Sequence, residues 1–334
     1  MNCLYCQSEL TVKHGKRKIK RTIVQVYKCG ACGKFFSDNA LKHKSYDAKT
    51  ILRAISTYNS GYTFDQTAKQ MSKRFHQKIP LSTIQSWMKE YSGTCSFIRL
   101  REQAIKLHKP EEMIFTHHLQ HNQIYKYRLH KAKLELVKGE LPEQKFSLLK
   151  AYLEKIPTES FPHHIFQPKQ DAEELSRSSQ IKFETLGFVK LERQNLSNAL
   201  ASLGLQLAKT NRERHEAVQN FMITNDSVTV ACEVPLYLTA GDIGYFKSKG
   251  FVFNFEDYQT PITGHIDVLQ VRNGLIHILD YKPGAEKVNA VNQLTIYALG
   301  LASRTKLAVK DFKCAWFDDR RYFEFFPLHG VYPK

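Results

Sequence analysis

The chain has 334 residues, 42% of them apolar, enough for two or three domains with real cores. It holds no apolar run of about 18 residues and no apolar leader behind its MNCLYC start. This argues against a membrane span or secretory signal and for an intracellular protein, cytoplasmic in a prokaryotic or viral setting. The formal charge of +17 is uneven: 18 of the 49 Lys and Arg but only 5 of the 32 Asp and Glu fall in the first 100 residues, the footprint of a nucleic-acid-binding end.

Residues 1–44 read as a small metal-stapled unit. Cys3-Leu4-Tyr5-Cys6 and Cys29-Gly30-Ala31-Cys32 are two CxxC knuckles. Each presents two thiolates to one ion, so together they complete a tetrahedral zinc site. The segment between them, VKHGKRKIKRTIVQVYK, alternates like a basic hairpin. So short a piece has little core of its own, and structural zinc would supply its folding energy. Two redox CxxC pairs are the alternative, but the flanking strand–helix pattern of such a fold is missing. The other thiols, Cys95, Cys232 and Cys314, are scattered and read as buried core residues.

Residues 46–92 read as three helices. Asp47 is placed to cap the first, which Asn59-Ser60-Gly61 ends. Thr63 and Gln66 form a capping box for the second, through Phe75. Pro80 precedes the third, STIQSWMKEY, starting at Leu81 or Ser82. The last two helices suggest a DNA-binding helix-turn-helix. With the CxxC pairs, YKCGACGKFF at 27–36, SGYTFDQTAKQM at 60–71 and STIQSWMKEY at 82–91, this end resembles the amino-terminal region of insertion-sequence transposases. The resemblance covers about the first 95 residues and implies DNA as partner, with a mobile element or virus as a natural setting.

Residues 96–204 read as a helical connecting region, with helical apolar spacing clearest in FSLLKAYLEKI. His117, His118, His121 and His130 have no nearby carboxylates and suggest a polar, DNA-facing helix rather than a metal site. FPHHIFQPKQ at 161–170 reads as a loop.

Residues 205–334 alternate strands and helices, an α/β pattern. In GHIDVLQVRNGLIHILDYK at 264–282, Asn273-Gly274 signals a two-residue hairpin turn. That turn pairs Arg272 with Leu275 and, counting outward, Asp267 with Asp280 and His265 with Lys282. Residues two apart share a strand face, so all four would line one patch. Two carboxylates so close repel unless a divalent cation lies between them. Hard oxygen ligands suit Mg²⁺ or Mn²⁺, and the Lys282 ammonium can offset charge developing on a phosphate.

These residues resemble the core of PD-(D/E)XK nucleases: an Asp, a spacer and then Asp280-Tyr281-Lys282. Gly264-His265-Ile266-Asp267 matches the GxxD motif of the RecB-type branch, and Gln293 with Tyr297 its QxxxY helix motif. The resemblance implies catalytic roles for Asp267, Asp280, Lys282, Gln293 and Tyr297. It also implies a metal-ligating histidine on the preceding helix, matched by His215, and a strand carboxylate, matched by Glu233. Gln293 and Tyr297 would contact the DNA backbone or orient Lys282. Outside the knuckles only three cysteines remain, too few for the iron–sulfur cluster of some members. The expected fold is multidomain: a zinc ribbon (1–44), an all-α helix-turn-helix (45–95), a helical middle region (96–204) and an α/β restriction-endonuclease-like domain with a central mixed sheet (205–334). The expected function is Mg/Mn-dependent DNA hydrolysis, with a transposase or recombinase component or a non-catalytic DNA-binding regulator as alternatives. The sequence is compatible with a monomer or an oligomer.

Overall fold

A computed structural model describes residues 3, 6, 8–19, 22–37, 46–121, 123–158, 178–179, 181, 183–184, 191–252 and 261–333. The loop expected at 161–170 lies outside the described residues. β1 (Thr11–Ile19), β2 (Thr22–Cys29) and β3 (Phe35–Ser37) form a three-stranded antiparallel sheet carrying the basic hairpin. Three helices follow: α1 (Ala48–Asn59), α2 (Phe64–Arg74) and α3 (Leu81–Tyr91). Their ends follow local chemistry. Asp47 accepts from the Thr50 amide at 2.8 Å, and Thr63 with Gln66 makes the capping box of α2. Gly61, at φ +105°, leaves α1 in a left-handed conformation that a β-carbon would strain.

After α4 (Arg101–Leu107) come β4 (Ile114–His121), β5 (Gln123–His130), α5 (Lys131–Leu136) and α6 (Glu143–Lys155). Next are β6 (Leu191–Glu192), α7 (Leu196–Leu205), α8 (Arg214–Asn225), β7 (Thr229–Leu238) and α9 (Ala240–Ser248). The chain then forms β8 (Ile262–Arg272), β9 (Leu275–Tyr281), α10 (Val291–Thr305), β10 (Phe312–Phe317), β11 (Tyr322–Phe325) and α11 (Pro327–Val331). Eight strands build one mixed sheet in the order β4-β5-β7-β8-β9-β10-β11-β6. Every pairing is antiparallel except β9–β10. A parallel pair needs a long crossover, and α10 supplies it.

Both faces of the sheet are covered, which is why its central strands are apolar nearly throughout. Ile276 and Ile278 of β9 and Phe312, Cys314 and Trp316 of β10 pack into one core with α6, α9 and α10. Leu279, Tyr281, Ala315 and Phe317 face the other way, into a core shared with α1, α2, α3, α7 and α8.

One expectation needs correction. Residues 96–204 are not a helical connector: β4 and β5 add two strands to the sheet, and the histidines read onto a polar helix lie on this hairpin. An edge hairpin exposes polar side chains, so its strand alternation is masked in the sequence. The three helices expected in the helix-turn-helix segment form, and they share a core with the rest of the chain. Ile51, Leu52 and Ile55 of α1 pack in one cluster with Val218, Phe221 and Met222 of α8 and with the sheet. A buried hydrogen bond of 2.9 Å from Asn59 to Asn225 ties α1 to α8.

Candidate active site and thiol cluster

The Asn273-Gly274 turn forms as the sequence demands. Both residues have positive φ, +53° and +74°, the signature of a type I′ hairpin turn. The register runs from Arg272↔Leu275 to Val268↔Leu279. Beyond that pair the ladder changes. The Asp267 carboxylate itself takes the Tyr281 amide at 3.0 Å, and the Lys282 amide turns to Phe317 O on β10 at 2.8 Å. Asp267 and Asp280 still meet, and their side chains are hydrogen-bonded to each other.

Asp280 is shut away from water, and Asp267 is half-buried. Burial, then the charge of Glu233, pushes Asp267 up to about 6. Burial, then Asp267, pushes Asp280 well above the usual carboxylate range. Without a cation the pair therefore keeps one proton between its two carboxylates above about pH 6, where Asp267 ionises. The Lys282 Nζ lies 2.8 Å from Asp280 Oδ2, with its side chain about a quarter exposed. Oδ2 is buried and has this ion pair but no well-aligned hydrogen bond, which leaves a lone pair for another ligand. Two neighbouring carboxylates, one with an oxygen free of hydrogen bonds, are donors of the kind a hard divalent cation takes.

Glu233 lies on β7, next to β8, between the pairs Cys232↔Val268 and Val234↔Ile266. That places it beside Asp267. Its φ of +52° is left-handed for a residue with a β-carbon, a strained conformation of the kind stored at functional sites. Gln219 of α8 donates to Glu233 Oε1 at 2.6 Å, and burial pushes the Glu233 carboxyl up. His215 is four residues before Gln219 on the same helix. It hydrogen-bonds the Tyr281 backbone, and its ring stands edge-on to Tyr281 at 5.1 Å. Burial lowers its pKa, while Asp280 pulls the other way.

Tyr297 of α10 is buried over β8. Its hydroxyl accepts from Gln293 Nε2 at 2.8 Å and hydrogen-bonds Ser178, and burial raises its pKa, with Asp280 adding to the rise. Gly264 makes this possible, because a β-carbon there would collide with the Tyr297 ring and come within 2.8 Å of Ser178 Oγ. Gln293 is thus engaged with Tyr297. His265 does not reach Lys282 by strand pairing: it pairs with Pro235 and stacks on Tyr125 of β5 at 4.0 Å.

Sequence reasoning missed Gln219, Ser178 and Arg128, whose charge acts on Glu233. Gln219 carried a signal, its i, i+4 spacing from His215. Ser178 and Arg128 come from distant parts of the chain and carried none.

At the amino-terminal end the four expected cysteines converge. Cys3 Sγ lies 3.6 Å from Cys32 Sγ, and Cys6 Sγ lies 3.5 Å from Cys29 Sγ. All four sulfurs fall within 4.8 Å of one another. A tetrahedral ion with bonds of about 2.3 Å sets its thiolates roughly 3.8 Å apart, so the cluster fits a structural metal such as zinc. Among the described residues it is the one group of three or more such ligands gathered this tightly. At the acidic site two carboxylates touch, and Glu233 and His215 stand further out. Cys95, Cys232 and Cys314 are buried thiols, as expected. Among the described residues no helix is long and apolar enough to cross a membrane. Comparison of the chain with protein-family models, with curated proteins and with solved structures found no match, so the acidic site is read from its own geometry.

Proposed function

We propose that the protein is a metal-dependent nuclease that hydrolyses DNA phosphodiester bonds at Asp267, Asp280 and Lys282. The observation that carries this reading is the pair of half-buried Asp267 and buried Asp280 with the Lys282 ammonium 2.8 Å from Asp280. The element order around it supports the same reading: a helix, three antiparallel strands, a crossover helix and a parallel strand, α8-β7-β8-β9-α10-β10. That is the order of a restriction-endonuclease-like core, in line with the resemblance of the GxxD, DYK and QxxxY segments.

Asp267 and Asp280 would hold Mg²⁺ or Mn²⁺, with Glu233 and His215 as outer or additional ligands. The ion, when bound, neutralises the two carboxylates and lowers the pKa of a bound water. The chain's own groups do the rest. Lys282, on the Asp280 side, offsets negative charge as the phosphate becomes pentacoordinate and orients the attacking water. Gln219 would orient the Glu233 carboxylate by donating to it, and Gln293 would fix the Tyr297 hydroxyl. The four cysteines would hold Zn²⁺ as a structural ion. The basic hairpin above it, with Lys13, Lys16, Arg17 and Lys18, would neutralise DNA phosphates.

The test is cleavage of single- and double-stranded DNA with Mg²⁺ or Mn²⁺ by the full chain and by Lys282→Ala. The wild type is expected to cut, and the variant to lose about 10²- to 10³-fold in rate, the worth of one transition-state charge partner. Absence of metal-dependent cutting in the wild type, on DNA and on RNA, would end this reading.

A further inference from the structure

A cleft of about 250 Å³ lies between α1, α2 and α8, away from the acidic pair. Arg53 of α1 and Arg74 of α2 both line it, and no Asp or Glu does. Among the described residues neither arginine has an ion-pair partner. The two cations instead act on each other: burial, then the charge of Arg74, lowers the Arg53 pKa. Thr57 and Gln70 add neutral hydrogen-bonding groups to the same wall. Holding two guanidinium groups together without an anion costs free energy, and a phosphate between them reverses the sign. The guanidinium fork matches phosphate oxygens two at a time.

We propose that this cleft is a phosphate-binding site that takes a backbone phosphate of the nucleic acid strand cut at the acidic pair. The proposal rests on the phosphodiesterase reading above. The link between the two places is α8. His215 and Gln219 of that helix stand at the acidic site, and Asn220 and Thr224 line the cleft. At 1.5 Å and about 100° per residue, positions five and nine beyond His215 lie roughly 8–14 Å along the helix and on nearly its opposite face, about 10 Å across. A strand that passes around the helix and rises about 3.4 Å per phosphate covers the resulting path of about 13–17 Å in about four to five nucleotides. The cleft would then hold the strand a few nucleotides from the scissile bond and set where the cut falls.

The test compares full-length wild type with Arg53→Gln/Arg74→Gln, by affinity for labelled DNA across a salt series without added divalent cation. Each lost phosphate contact lowers the slope of log affinity against log salt by about 0.7–0.9. The double variant is expected to lose between one and two such increments and to bind about tenfold or more weakly at low salt. Arg74→Gln alone, at an exposed position, guards against misfolding and should show part of the loss. Wild-type slope and affinity in both variants would overturn the proposal. A second arm adds inorganic phosphate at matched ionic strength and reads thermal stability. Stabilisation that disappears in the double variant, with DNA binding untouched, would assign the cleft to a small anion and also overturn it. Because cutting plays no part in the readout, failure of the cleavage assay and failure of this one are separate results.

Discussion

Replacing Asp267 by Asn is expected to abolish cleavage and yet, at alkaline pH without metal, to make the fold more stable. The substitution keeps the local hydrogen bonds. Its amide oxygen still accepts from the Tyr281 amide, as Asp267 does at 3.0 Å, and its NH₂ can donate to Asp280. What it removes is a charge. Asp267 ionises at about 6 in the folded protein against an ordinary 3.8. At about 1.4 kcal/mol per tenfold change, that difference costs the folded state about 3 kcal/mol once the group is ionised. The sign follows from linkage. A raised carboxyl pKa leaves stability intact below pH 4, and the loss grows as pH climbs to 6 and is complete above it. Thermal unfolding of the metal-free wild type and variant should therefore nearly coincide near pH 4. At pH 8 they should separate, the variant melting several degrees higher. Saturating Mg²⁺ should close the gap by stabilising the wild type alone. A variant less stable than the wild type at pH 8, or one that still cuts DNA, would refute the argument, because the paired charge would then not be held for a cation.

The remaining expectations are simpler. Stabilisation of the wild type by Mg²⁺ should be small at pH 5 and should rise through pH 6 to 8, since the cation must displace the proton shared by Asp267 and Asp280; calorimetric titration across pH reads this directly. Gly264→Ala should cost about 1–3 kcal/mol in denaturant unfolding and lower the cleavage rate, because its methyl collides with the Tyr297 ring. Unchanged stability would mean that this close approach does not matter. Cys29→Ser removes one of four converging thiolates. Metal analysis should show loss of bound zinc and unfolding of residues 1–37, with cleavage of short DNA largely kept; full zinc retention would rule out a four-thiolate site.

The features legible in the sequence are those whose physical cause lies within a few residues. Asn273-Gly274 sets its own turn, because both residues tolerate positive φ, and the turn sets the register that carries Asp267 to Asp280. Thr63 and Gln66 cap α2 from within one helical turn. The CxxC spacing places each pair of thiols on one point before any tertiary contact forms. The rest depended on packing between distant segments. A polar hairpin at 114–130 became strands only because β7 offered an edge to β5. The three amino-terminal helices share a core with the rest of the chain because their apolar faces were completed by α8 and the sheet. The left-handed Glu233, the Gln219 that donates to it and the Ser178 on Tyr297 are consequences of neighbours many residues away. Sequence alone determined which groups could carry the chemistry, since turn and cap preferences act locally. The tertiary structure decided how deeply those groups are buried and what they face, since burial and charge come from the whole assembly of strands and helices.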